Sequence, residues 1–265
     1  MSDSGKLIEE IGPPQLMGES LMIAKSIDYP AGAHTIRHTH PVAQLLYAVE
    51  GVMRVETPRG QWVVPPSRAI YVPAGEWHEV HVVSAARMRS VYVRPDAVAG
   101  LPVECTVLAV TPLWRELLLA AVTFQPPVLH DTREGRLLRL LLDEIVVLQA
   151  LPLALPWPDD ALLTPLCRQL QGMPDDTRGG EEWAAQLGVD VRTLQRRFLR
   201  ATGMSFGEWR RQARLLYALQ RLAAGDRVLD VALDAGYASP SAFTAMFRRQ
   251  FGVAPSEFFA VPAPV

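Results

Sequence analysis

Cysteine is scarce: the 265 residues hold two, Cys105 and Cys167, far apart in the chain. No metal-binding spacing and no disulfide framework can be built from them, which fits a reducing cytoplasm. Long apolar runs are also missing. No stretch approaches the ~20 uninterrupted apolar residues of a membrane span, and the most apolar segment, Leu137 to Leu151, is broken by Arg139, Asp143 and Glu144. The first residues, MSDSGKLIEEIGPP, contain no apolar run of signal-peptide length. Charge of either sign is not in excess: 26 Lys+Arg stand against 28 Asp+Glu, net -2. The whole-chain average therefore carries no polybasic signature. A more local absence points the other way. Residues 165–265 contain no lysine. All 13 cations there are Arg, against 10 acids, net +3, whereas residues 1–164 carry 13 Lys+Arg against 18 Asp+Glu, net -5. Arginine's planar fork donates in pairs, which suits phosphate and guanine edges.

The length leaves room for about two domains, and 49% hydrophobic residues are ample for packed cores. Residues 20–100 alternate as strands do, for example Val52–Thr57, Gln61–Val64 and Glu79–Val83, with Pro58-Arg59-Gly60 as a hairpin turn signal. Many short strands with regular turns imply a sandwich or small barrel. The period then becomes helical over 111–124 and 134–150, where Leu137, Leu138, Leu141, Ile145 and Leu148 form one wide stripe. Two uses are open to these helices: covering the barrel or forming a dimer interface. Three prolines in residues 150–158 stiffen the chain and read as an interdomain linker. Beyond it the chain is helical to about 259.

Within this helical stretch a single pattern occurs twice, 49 residues apart. Asp190 and Ser239 stand as helix N-caps, followed at fixed offsets by Leu194 and Phe243, Phe198 and Phe247, Gly203 and Gly252, and Trp209 and Phe258. Upstream of each lies Ala-x-x-x-Gly, Ala184 to Gly188 and Ala232 to Gly236. Short helix, tight turn and second helix, built twice, imply two helix-turn-helix units and hence DNA binding. A pair of plain helical hairpins is the competing reading; matching register and one long connecting helix, Ser205 to Ala224, favour the first. Recognition helices about 34 Å apart would enter successive major grooves. In the first unit Leu194 and Phe198 pack inward, leaving Arg192, Thr193, Gln195, Arg196 and Arg197 pointing elsewhere, the first four of them candidates for the groove. In the second, Ser239, Ser241, Ala242, Thr244, Ala245 and Arg248 form a smaller, less basic face suited to thymine methyls and phosphates.

The strings Leu187-Gly-Val-Asp-Val-Arg-Thr-Leu-Gln-Arg-Arg-Phe198 and Gly236-Tyr237-Ala-Ser-Pro-Ser-Ala-Phe243, with Phe251-Gly252-Val-Ala-Pro255, resemble the AraC/XylS-type transcription regulators over about residues 159–259. Upstream, Gly32-x5-His38-x-His40-x3-Gln44-x6-Gly51 and Ser67-x5-Pro73-x-Gly75-x2-His78 resemble the two cupin motifs over about residues 20–95, with Gln44 where metal-binding cupins carry Glu and Ser67 in place of a Gly. The barrel's wording is also similar to a NimR-like subgroup linked to control of drug-efflux genes. The resemblance implies a bacterial one-component regulator whose barrel senses and whose C-terminus reads promoter DNA.

His38, His40 and Gln44 have the same parity, so one strand would point them to one face; His78 completes a set of three imidazoles and an amide. Such a set suits Zn²⁺, Ni²⁺ or Cu²⁺. Satisfied interior histidines, or histidines contacting an organic effector, are the alternatives. His34 and His81 read as peripheral; Met53, Trp62, Tyr71 and Trp77 read as core or pocket lining. The whole is an α+β chain of two domains: a cupin-like barrel (1–109), a helical region (110–149), a proline-rich linker (150–158) and an all-α DNA-binding domain (159–265). It reads as a cytoplasmic regulator, an activator in the usual manner of the family, under a small-molecule or metal effector. Its partners are double-stranded promoter DNA, RNA polymerase, the effector and a second copy of the chain; a membrane is not among them, and no catalytic residue is assigned. The rival is a cupin metalloenzyme of dioxygenase type with a DNA-binding appendage.

Overall fold

The computed structural model describes residues 7–8 and 20–258. They divide into two compact units: residues up to 57 together with 64–153, and 58–63 together with 154 onward. Among the described residues no helix is long and apolar enough to cross a membrane.

The first unit is built from two sheets and two helices. Its strands are β1 (Leu7–Ile8), β2 (Met22–Tyr29), β3 (His34–Thr35), β4 (Ala43–Glu50), β5 (Met53–Thr57), β7 (Arg68–Val72), β8 (Glu79–Val82), β9 (Ala86–Val93), β10 (Thr106–Ala109) and β11 (Gln149–Leu151); β6 (Gly60–Val64) and β12 (Ala154–Pro156) pair with one another in the second unit. One sheet runs β11-β10-β7-β4-β9-β2, antiparallel throughout. The other places β3, β8 and β5 side by side, with β1 parallel to β3.

Strand alternation gives the long sheet two apolar faces. Ala43, Leu45, Tyr47, Ala69, Tyr71, Val91 and Val93 pack against α1 (Pro112–Ala121) and α2 (Arg133–Val147) through Trp114, Leu117, Leu118, Leu138, Leu141, Leu142 and Ile145. The stripe seen in the sequence is thus spent on covering the sheet, and its Leu138, Leu141, Ile145 and Leu148 are buried within this unit. The opposite parity, including Gln44, Leu46, Ser90 and Tyr92, turns to the barrel interior and is equally buried. Tyr71 belongs to the helix-facing side, so it lines no interior pocket; burial there pushes its phenol up to about 12.

The proline-rich segment is not a free linker. β11 extends the long sheet against β10, and β12 pairs with β6 in the register Ala154↔Trp62 and Pro156↔Gly60. Its prolines are compatible with this because β12 ends its sheet, where a missing N–H breaks no ladder. Pro152 falls between the two strands, and the boundary between the units lies beside it, at 153/154.

The second unit is helical apart from β6 and β12: α3 (Leu163–Gly172), α4 (Gly180–Gln186), α5 (Val191–Thr202), α6 (Phe206–Ala223), α7 (Val228–Asp234), α8 (Pro240–Phe251) and α9 (Pro255–Phe258). The repeat in the sequence is a repeat in space. Asp190 accepts from Thr193 N and Ser239 from Ala242 N, each capping its helix, and both helices stop at a glycine with positive φ, Gly203 and Gly252. Phe198 contacts Trp209 with ring centroids 6.1 Å apart, and the equivalent pair Phe247 and Phe258 lies at 5.2 Å. Trp209, fully buried, donates its indole N–H to Pro156 O at 2.8 Å, tying α6 to β12.

Candidate DNA interface and sensor site

α5 forms because Asp190 satisfies its first amides and Leu194 and Phe198 bury one stripe, while Arg192, Arg196, Leu199 and Arg200 are among the residues that face solvent. Arg192 and Arg196 are exposed, one turn apart, and Arg200 continues the same face a turn further on. Val189, Thr193, Arg196, Arg197 and Arg200 line an open concavity beside the helix. Two of the selected side chains are differently employed. Thr193 donates its hydroxyl to Asp190 Oδ2 at 2.7 Å, and with its amide holds the Asp190 carboxyl below the usual carboxylate range. Gln195 is not on the outward face: it is half-buried, and its amide oxygen accepts from Phe206 N at 3.3 Å, joining α5 to the start of α6. Parity on α5 leaves it at the edge of the buried stripe, where the first turn of α6 offers an amide with no partner in its own helix.

On α8, Phe243 and Phe247 are buried, while Ser241, Ala242, Ala245 and Arg248 are exposed; Thr244 is half-buried and the Ser239 hydroxyl serves as the cap. Arg249, absent from the sequence reading, is exposed one turn beyond Ala245, as Arg200 is one turn beyond Arg196. Extending each outward face by four residues would have found both.

The arginines of this unit are not equally free. Arg178 pairs with Asp176 and lies 3.7 Å over the Trp183 ring. Arg197 pairs with Asp160 at 3.4 Å. Arg210 and Arg214, one turn apart on α6, donate to carbonyls of 174–178, among them Arg178 O at 2.6 Å and Pro174 O at 2.7 Å. Arg221 bridges Asp226, Asp234 and Tyr217. These five hold the helices together; Arg192, Arg196, Arg200, Arg248 and Arg249 face outward.

In the first unit the four residues singled out as a candidate metal set converge. One nitrogen each of His38, His40 and His78 lies within 4.8 Å of the others. Gln44, 1% exposed, places its Oε1 2.9 Å from His78 Nε2 and donates through its own Nε2 to Tyr92 Oη at 3.0 Å. Tyr92 is the member the sequence did not yield: it stands opposite Gln44 in the β4–β9 register, and its ring meets that of His40 edge-on at 5.4 Å. His38 Nδ1 lies 2.6 Å from Ile36 O and His78 Nδ1 3.2 Å from Glu76 O. A carbonyl only accepts, so a proton on each Nδ1 turns the Nε2 lone pairs to the cluster, the arrangement of metal-ligating histidines with their outer partners. The alternative tautomer of His78 donates from Nε2 to Gln44 instead, which closes the cluster to a cation at that nitrogen. Trp77 is partly exposed and carries the Arg37 guanidinium 3.4 Å over its ring. His34 and His81 stack on one another away from the cluster.

The chain is similar to known proteins. Residues 22–155 match the AraC-like ligand binding domain family and residues 183–260 the Helix-turn-helix domain family. The HTH-type transcriptional regulator NimR of Escherichia coli is 31% identical over 223 residues, 84% of this chain and 81% of its own length. The regulatory protein SoxS of Escherichia coli is 42% identical over 76 residues, 28% of this chain and 71% of that protein. The solved structure of ToxT from Vibrio cholerae aligns over 92% of this chain and 99% of its own at 12% identity, with a TM-score of 0.38. The match of residues 22–155 to the AraC-like ligand binding domain and of 183–260 to the helix-turn-helix domain, with a regulator 31% identical over 84% of this chain, places the chain in the AraC family of transcriptional regulators.

Proposed function

We propose that this regulator reads promoter DNA with α5 and α8 in successive major grooves, and that it activates transcription in the cytoplasm, as a homodimer, in contact with RNA polymerase. The observation that carries the DNA assignment is the outward Arg192–Arg196–Arg200 face on a helix whose other face is pinned by Leu194, Phe198 and Gln195. A helix of this kind fits the major groove, where arginine pairs with guanine O6 and N7. The α8 face, Ser241, Ala242, Ala245 and Arg248, suits methyl and phosphate contacts, with Thr244 at its margin and the capped first turn at Ser239 directed to a phosphate. Fluorescence anisotropy on DNA flanking the protein's own gene, at fixed moderate salt with excess nonspecific competitor, tests this. Arg192→Ala and Arg196→Ala are each expected to weaken specific binding by roughly tenfold or more. Binding no tighter than to competitor, there and to DNA selected from genomic fragments, would overturn it.

The barrel is assigned the sensing role. His38, His40, His78 and Gln44 would hold a Zn²⁺, Ni²⁺ or Cu²⁺ ion, or the polar end of a small organic effector with Tyr92 beside it. The Nδ1 contact of His38 with Ile36 O supports the metal reading, and His78 would join by giving up its Nε2 hydrogen bond to Gln44. A bound ion would supply a fixed positive charge to the cluster. The chain's own residues orient that site through the Gln44–Tyr92 hydrogen bond. The effector acts through its differential affinity for two domain arrangements. We infer that the barrel serves as a sensor and not as a catalyst: the relative matched over 84% of this chain is a regulator, and Gln44 stands where metal-binding cupins place a carboxylate. Metal-dependent oxygen uptake by the purified protein would contradict this.

A further inference from the structure

The smaller sheet has a second cluster, on the face opposite to the barrel interior. Along β8, Val80 and Val82 are buried inward, so Glu79 and His81 point outward. Register then sets Glu56 of β5 directly opposite Glu79, and places His81 between Arg54 of β5 and His34 of β3. Two carboxylates facing each other across a ladder repel. Here His81 Nε2 lies 2.5 Å from Glu79 Oε1, and Arg54 Nε 3.2 Å from Glu56 Oε1. One ligand atom from each of Glu56, Glu79 and His81 falls within 4.8 Å of the others. None of the three is a fully solvated surface group; their side chains are 34%, 29% and 25% exposed. His34 stacks on His81 at 6.0 Å, and its Nδ1 is buried with no hydrogen-bond partner among the described residues.

We propose that Glu56, Glu79 and His81 form a divalent transition-metal site of the Zn²⁺ class, with His34 as a further nitrogen donor, separate from the imidazole cluster inside the barrel. The mixed nitrogen and carboxylate set selects such an ion over Mg²⁺ or Ca²⁺, which take oxygen ligands. Arg54 occupies one oxygen of Glu56 and leaves the other for the metal. The ion would take the place of the direct His81–Glu79 contact, drawing both side chains to itself. It also bridges β8 to β5 at positions next to the sensor. β8 begins immediately after His78, and β3 runs directly into the segment carrying His38 and His40, so the outer ion restrains both chain segments that build the inner cluster.

The test is a Zn²⁺ titration of the full chain by calorimetry and equilibrium dialysis, in a His78→Ala background that removes the inner cluster. One Zn²⁺ per chain is expected to remain. Adding Glu79→Gln or Glu56→Gln should weaken it about tenfold or more, and Zn²⁺ should raise Tm in that background in proportion to the logarithm of its concentration. A chain with His78→Ala that binds no Zn²⁺, or that binds it equally well with Glu56→Gln and Glu79→Gln, overturns the proposal. Should His78→Ala fail to give a cooperative melt, the same titrations in His38→Ala/His40→Ala decide it by the same criteria. Failure of this site leaves DNA binding and the inner cluster untouched, since both are read by other variants.

Discussion

Ser67 holds a left-handed backbone, φ 62°, at the place where the cupin motif has glycine, and its amide donates to Ala48 O at 3.0 Å to close the turn into β7. A side chain in this region costs roughly 1–2 kcal/mol, and a branched Cβ costs more. The expected order of stability is therefore Gly at least equal to Ser, and Ser above Val, read as Tm in thermal melts of Ser67→Gly and Ser67→Val; Val at or above the parent would refute the strain. Gly51, the last residue of the other motif, is the stricter case. Its φ is 81°, and a Cβ would sit 2.3 Å from Ala85 O, a backbone atom that cannot swing aside. Gly51→Ala is expected to cost at least about 2 kcal/mol, a fall in Tm on the order of 5 °C. A melt within a degree of the parent would mean the turn re-forms at no cost. Both positions lie in loops that carry the ends of β4 and β7, so these backbone demands act on the strands that deliver Gln44.

At the level of elements, the second unit is joined by carboxylates whose charges are favoured in the fold. The Arg178 guanidinium beside Asp176 holds its carboxyl below the usual range, Thr193 does so for Asp190, and Ser205 for Glu208. Because each folded value lies below the unfolded one, their stabilisation is complete above about pH 5 and is lost as pH falls through the unfolded and then the folded values. Tyr71 works in the opposite direction in the first unit. Its folded value of about 12 exceeds the unfolded one of about 10, so its contribution is present below pH 10 and disappears as pH rises towards 12. Thermal melts across pH should show Asp176→Asn flattening the acid limb and Tyr71→Phe the alkaline one; unchanged limbs would detach these groups from stability. The elements also mark what could be read in advance. The two helix-turn-helix units were legible because caps, apolar positions and glycine stops are local and recur at one offset. Tyr92 was not, because only the β4–β9 register brings it to Gln44, 48 residues away. The contact of Gln195 with Phe206 N was not legible because helical parity says which side a residue is on and not that the start of α6 stands beside it. The strands within 150–158 were hidden for a similar reason: its prolines argue against helix, but only its partners β10 and β6 show that parts of it are edge strands, with the unit boundary between them.

For the molecule as a whole, an effector that governs DNA binding must be governed by DNA in return. If occupancy of the barrel changes operator affinity by some factor, operator must change effector affinity by the same factor, since both describe one coupling free energy. For couplings of about 1–3 kcal/mol this is roughly 5–150-fold, well within reach of titration. With Zn²⁺ as the probe, DNA affinity is measured by anisotropy with and without the ion, and Zn²⁺ affinity by dialysis with and without saturating operator. Equal ratios are expected for the full chain. His78→Ala should abolish the coupling while leaving Arg192- and Arg196-dependent binding in place, because the recognition face on α5 shares no side chain with the imidazole cluster. If Glu79→Gln lowers the coupling and His78→Ala does not, the outer cluster and not the inner one is the metal-responsive element. Two unequal ratios would show that zinc acts on something other than the equilibrium between DNA-competent and incompetent states, such as self-association of the chain, and the measurement would then be repeated across protein concentration. Ratios of one in both directions would leave the imidazole cluster with an organic effector, whose polar end Gln44 and Tyr92 are already placed to meet.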